Sequence, residues 1–168
     1  MKGWRMVSIA ALLGIFLPSC SSSPKSEDYP GYMTRPYTIR GKKYVPMSVE
    51  RALYFSQTGI ASHYDESGFW GFSSGETSIG EDVRPWHLHA AHPYLPLPCE
   101  VRVTSLRTGK SVKVRVNDRG PFVKGRVIDL SSAAAKKLGF RHAGLEKVHI
   151  QVLSVGDGKW KRKSPVFH

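Results

Sequence analysis

Two acidic residues and a group of histidines carry the residue types that move protons. Asp118 lies in Asn117-Asp118-Arg119-Gly120-Pro121, inside a stretch otherwise crowded with Lys and Arg. An Asp in such a turn either bonds its own backbone or presents a carboxyl to a cleft. A carboxyl so presented can give a proton to a leaving group and take one back. Glu81 closes Thr77-Ser78-Ile79-Gly80-Glu81, and reads either as a solvated loop charge or as a second carboxylate. His87, His89 and His92 alternate in a way that can ligate zinc, but the spacing matches no strong zinc signature. No Cys or carboxylate stands at a telling distance from them, so no metal and no cofactor is expected. A single His donating a hydrogen bond in a cleft is the more plausible use of this group.

The elements that must position these groups are short strands. Gly59 to Tyr64 reads as a first strand, and Asp65 to Glu81 as a long loop with glycines at 68, 71, 75 and 80. Glu100 to Leu106 and Ser111 to Asn117 alternate apolar with polar residues around Arg107-Thr108-Gly109-Lys110, as a hairpin does. Arg126 to Leu130 and Lys147 to Val155 supply further strands. Ser131 to Gly139 is the clear helix, with a Ser N-cap, three alanines, Lys136 and Lys137 in the last turn and Gly139 after it. Several short strands with one helix over residues 59–155 suggest a compact β-barrel. Upstream, Tyr37 to Tyr44 suits a small hairpin around Gly41.

The first 19 residues have the build of a leader. Lys2 and Arg5 precede the apolar run Met6 to Leu17, which is too short to span a bilayer comfortably. The run ends in Leu17-Pro18-Ser19-Cys20, similar to a bacterial lipoprotein cleavage box in which Cys20 would carry the lipid. An ordinary secretory leader with a chance Cys is the other reading. With Cys20 lipidated, Cys99 lacks a disulfide partner and packs as a small hydrophobe. Residues 20–35 are a flexible tether, 36–58 an N-terminal arm and 156–168 a basic tail. The net charge of +12 attracts polyanions. For an exported protein these are anionic headgroups or the acidic wall polymer rather than nucleic acid.

The ordered series Gly59-Ile60-Ala61-Ser62, Thr77 to Glu81, Ala90-Ala91-His92, Asn117-Asp118-Arg119-Gly120-Pro121-Phe122 and Val127-Ile128-Asp129-Leu130-Ser131 resembles the rare lipoprotein A family. The resemblance spans roughly residues 36 to 153. It implies a mainly β fold, a six-stranded double-psi β-barrel with one or two short helices. It also implies lytic transglycosylase work on peptidoglycan, cutting between N-acetylmuramic acid and N-acetylglucosamine to leave a 1,6-anhydro end. By that resemblance the acid falls on Asp118, with Glu81 and His92 in support.

A hydrolase needs a second carboxylate to activate water, whereas a lytic enzyme uses the sugar's own C6 hydroxyl, so one carboxyl suffices. The scheme requires Arg119 to turn away from Asp118, towards Asp129. Arg115, Arg119, Lys124 and Arg126 are candidate holders of lactyl carboxylates on peptide-stripped strands, with Asn117 beside them. Phe69, Trp70 and Phe72 offer either a stacking surface for sugar rings or core packing. Where the family usually has Trp-Tyr-Gly after Ala-Ser, this chain has His63-Tyr64-Asp65. The expected setting is the bacterial envelope, lipid-anchored on the outer membrane and facing the periplasm. The competing classes are a non-catalytic, expansin-like glycan binder and an interaction partner of division or cell-wall complexes.

Overall fold

The computed structural model describes residues 34–64, 76–83 and 86–162. The leader, Cys20, and Phe69, Trp70 and Phe72 lie outside the described residues. The described chain runs β1 (Tyr37–Ile39), β2 (Lys42–Tyr44), α1 (Val49–Leu53), β3 (Ser56–Tyr64), β4 (His89–Ala91), β5 (Cys99–Ser105), β6 (Ser111–Asp118), β7 (Arg126–Ser131), α2 (Ser132–Leu138), β8 (Leu145–Val155) and β9 (Trp160–Lys161).

Six strands close on themselves in the order β3-β7-β4-β6-β5-β8, with β8 returning to pair with β3. The β3–β7 and β4–β6 pairs are parallel, and the other four are antiparallel. The topology splits into two interlocked halves, β3-β4-β5 and β6-β7-β8. The first strand of each half runs parallel to the middle strand of the other, which is the double-psi arrangement. Closure leaves no free edge among these six strands.

Alternation drives the closure. Val101, Val103, Val114, Val116, Ile128, Leu130, Val148, Ile150 and Val152 all point inward and are at most 1 % exposed. Each such burial contributes roughly 1.5–3 kcal/mol. At Gly59 the walls approach so closely that a Cβ would sit 2.4 Å from Cγ1 of Val127. Only glycine fits there. The expected helix is α2, with Ser131 Oγ accepting from the Ala134 N–H and Gly139 ending it in the left-handed conformation. Cys99 is buried at 1 %, and burial pushes its thiol up to about 12.

The structure adds three features to these expectations. The arm contains the short helix α1, capped by Ser48, in addition to the β1–β2 hairpin. The tail is not wholly irregular, because Trp160 and Lys161 pair with Val155 and Ser154. Strand β4, only three residues long and fully buried, has no alternation to betray it.

Candidate active site

Asp118 is the last residue of β6, and a bulge aims it. Ala90 pairs with Val116 and Ala91 with Asp118, so Asn117 has no partner across the ladder. A bulge of this kind bends the strand and redirects the side chains beside it. The Asp118 carbonyl is held by the His92 N–H at 3.0 Å. Its carboxylate accepts three bonds from the described residues, all on Oδ1. These come from the Arg119 N–H at 2.7 Å, the Ser78 N–H at 2.9 Å and the Ser78 hydroxyl.

Ser78 reaches Asp118 because residues 76–82 form a miniature hairpin. Glu76 bridges Asp82, Thr77 N–H bonds the Glu81 carbonyl at 2.9 Å, and Gly80 N–H bonds the Thr77 carbonyl at 2.9 Å. Gly80 has φ +76°, the left-handed residue that a three-residue hairpin loop needs. The Ser78 tip then falls on Asp118.

Glu81 anchors the other flank of the hairpin to β6. Arg115 Nη2 meets Oε1 at 2.6 Å and its Nε meets Oε2 at 3.0 Å, while Asn117 Nδ2 adds 2.9 Å to Oε2. The Arg115 bonds, opposed by burial and aided by Asn117, hold this carboxyl below its ordinary range. Glu81 is therefore an ionised, engaged group, unsuited to donate a proton near neutral pH. It lines a cavity of about 760 Å³ with Trp86, His87 and Arg115, whose described lining does not include Asp118.

The histidines disperse. His92 is 1 % exposed, and its Nδ1 accepts from the N–H groups of Tyr94 and Leu95 at 3.1 and 3.0 Å. The ring proton is thus on Nε2. Burial, aided by the nearby Arg119 charge, drops its pKa to about 3. His92 supports Asp118 through its backbone, and its ring fixes the following turn rather than orienting a carboxylate. His89 bonds the Tyr64 hydroxyl, and His87 packs edge-on to Trp86.

The cations also differ from expectation. Arg119 does turn away from the Asp118 carboxylate, but not to Asp129: its Nη1 donates to the Leu95 carbonyl at 2.6 Å and its guanidinium lies over the Tyr37 ring at 5.1 Å. Asp129 pairs with Arg126 at 2.9 Å instead. Arg115 is shared between Glu81 and Asp157. Arg115 and Arg126 are therefore neutralised within the protein, because each lies on a strand beside a carboxylate. Lys124 is exposed.

Asp118 opens onto a cleft of about 410 Å³, whose other walls include Ser78, Leu97, Phe122 and residues of the arm. A family model described as a lytic transglycolase matches residues 56–150. The chain belongs to the lytic transglycolase family. Among its relatives, the endolytic peptidoglycan transglycosylase RlpA of Pseudomonas aeruginosa (strain UCBPP-PA14) is 50 % identical over 69 % of this chain and 32 % of its own length. The protein of the same name from Neisseria meningitidis serogroup B is 43 % identical, over 82 % of this chain and 55 % of its own. That of Campylobacter jejuni is 42 % identical, over 84 % and 50 %. The chain thus spans between a third and just over half of these relatives' length.

In this lytic transglycolase barrel, sequence reasoning missed the role of Ser78 and the arm's place in the cleft wall. Ser78 left no signal in one sequence, since a Ser in a Gly-rich loop resembles any turn residue. The arm could have been suspected from Tyr37 and Tyr44, aromatics spaced to share one end of a hairpin.

Proposed function

We propose that this chain is a peptidoglycan lytic transglycosylase with Asp118 as its single acid–base group. The observation that carries this is the asymmetric binding of the Asp118 carboxylate: all three of its donors among the described residues occupy Oδ1. Oδ2 is then the oxygen left to carry the catalytic proton. In the reaction, the Oδ2 proton passes to O4 of the departing N-acetylglucosamine as the C1–O4 bond breaks. The C6 hydroxyl of N-acetylmuramic acid attacks C1, and its proton returns to Oδ2. Atoms balance without water, and the product carries a 1,6-anhydro end.

Among the described residues that line the Asp118 cleft there is no second carboxylate to activate water, and Glu81 is tied to Arg115, which favours this chemistry over hydrolysis. Glu81 and His92 act as positioning residues, the one through the hairpin and the other through the main chain. The names of the relatives, endolytic peptidoglycan transglycosylase, support the same reading. We place the protein in the bacterial envelope, held by lipid on Cys20 to the outer membrane and facing the periplasm, on the apolar run ending at that Cys. Contacts with division or wall-building complexes belong to this same proposal.

The test is end chemistry. Purified sacculi, intact and amidase-stripped, are incubated with the full chain in detergent and the products read by mass spectrometry. Anhydromuramyl ends support the reading. Reducing ends mean hydrolysis, and glycan co-sedimentation without products means an expansin-like binder.

A further inference from the structure

We propose that α2 and Trp86 form a docking face for an anionic phospholipid bilayer, with Lys136, Lys137 and Arg141 meeting headgroup phosphates and Trp86 entering the interfacial layer. These four side chains line one open depression of about 630 Å³, together with Ser132 and Ala133. Two parts of the chain converge there. Trp86 precedes β4, whereas the cations stand at the end of α2 and just after it. Trp86 is 69 % exposed, so the core does not consume its ring. Lys136 and Lys137 lie on the exposed side of α2, while Ala134, Ala135 and Leu138 face the barrel's core.

Charge complementarity names the occupant. From Ser131 to Leu145 the chain has three Lys or Arg and no Asp or Glu. The flanking carboxylates, Asp129 and Glu146, are already paired with Arg126 and Arg107. Lys136, Lys137 and Arg141 are exposed and make no ion pair among the described residues. Long, unpaired cations beside an exposed indole suit a charged sheet: the cations reach phosphates while the amphipathic ring sits at headgroup depth. A sugar site would instead be concave, with fixed polar groups. The placement agrees. With lipid on Cys20, the stretch from there to Thr34 extends at most about 50 Å. Such a tether holds the barrel at high local concentration beside the leaflet, where a weak face suffices. None of the docking residues lines the Asp118 cleft, so docking does not use its walls.

This inference stands whether or not the chain cuts glycan. The full chain is mixed with vesicles of phosphatidylcholine alone, or of phosphatidylcholine and phosphatidylglycerol. Lysines are then labelled with acetic anhydride and read residue by residue by mass spectrometry. Lys136 and Lys137 should label about fivefold more slowly on the anionic vesicles. Lys42 and Lys43, exposed on the arm, should label equally on both and so report any diffuse effect of net charge. High salt should remove the protection. So should Arg141→Gln combined with Trp86→Ala, two exposed positions whose loss leaves the core intact. Equal labelling of Lys136 and Lys137 on the two vesicles would overturn the proposal. So would equal protection of Lys42 and Lys43, or protection that survives salt or the double substitution. Protection by amidase-stripped strands but not by anionic vesicles would assign the face to the wall polymer and overturn it as well.

Discussion

Ser78 grips one oxygen of Asp118 twice, with its backbone N–H at 2.9 Å and with its hydroxyl. The grip fixes the carboxyl's rotation and leaves Oδ2 without a donor among the described residues. Ser78→Ala keeps the backbone bond and loses the other. The expected result is a kcat about tenfold lower, from one lost hydrogen bond of about 1.4 kcal/mol, with KM little changed. Ser78→Thr, which keeps the hydroxyl, should restore most of the rate. A variant that raises KM alone would place Ser78 in substrate binding instead.

Glu81 and Arg115 should behave as a coupled pair. Both side chains are over a third exposed, 36 % and 37 %, so solvent screening limits the pair to about 0.5–1 kcal/mol of stability. The effect on activity should exceed the effect on stability, because the pair holds the hairpin that carries Ser78. Glu81→Gln and Arg115→Gln, alone and together, form a double-mutant cycle. Additive losses in kcat would mean the two residues act separately.

His92 makes the fold sensitive to acid. Its imidazole has an ordinary pKa of 6.5 in the unfolded chain and one of about 3 in the folded one. Between those values the unfolded chain binds a proton that the folded chain refuses. Its contribution is whole above pH 6.5 and declines as pH falls towards 3, by at most about 1.4 kcal/mol per pH unit. Glu81, held low by Arg115, adds a loss in the same direction below its ordinary 4.5. Denaturant titrations from pH 7 to 4 should show the decline. His92→Asn, less stable at pH 7, should show a shallower one. An equal slope in that variant would assign the pH dependence elsewhere.

Gly59 tests the barrel's closure. Alanine there would meet the Val127 side chain at 2.4 Å, an overlap that must displace β3 or β7. Overpacking of this kind costs about 1–3 kcal/mol. Val127→Ala should recover part of the loss, as read from thermal midpoints. Additivity of the two substitutions would show that the strands relax apart without strain.

The barrel was legible wherever burial falls on alternate residues. The alternation of Val112, Val114 and Val116 against Lys113 and Arg115 reports one buried face and one wet face, and β6 follows it. It broke down at β4, where all three residues are buried, and at Asn117, where a bulge hides two neighbours in succession. Asp118 stood out because it ends a patterned strand at a turn. The partners of Arg115 and Arg119 did not, because Glu81 and Leu95 are brought to them by the fold and not by the local sequence. Glu81 lies 34 residues from Arg115 along the chain, and only the fold of the hairpin makes them neighbours.

The central claim is that Asp118 alone carries the proton in both directions. The most direct measurement compares the full chain with Asp118→Asn on amidase-stripped strands, following anhydromuramyl ends by mass spectrometry and strand binding in parallel. Asn keeps an acceptor for Ser78 and Arg119 but has no proton to give. The account predicts that anhydro ends fall by at least about a hundredfold while binding stays within a factor of about three. Anhydro ends formed at near the unsubstituted rate by Asp118→Asn would contradict it.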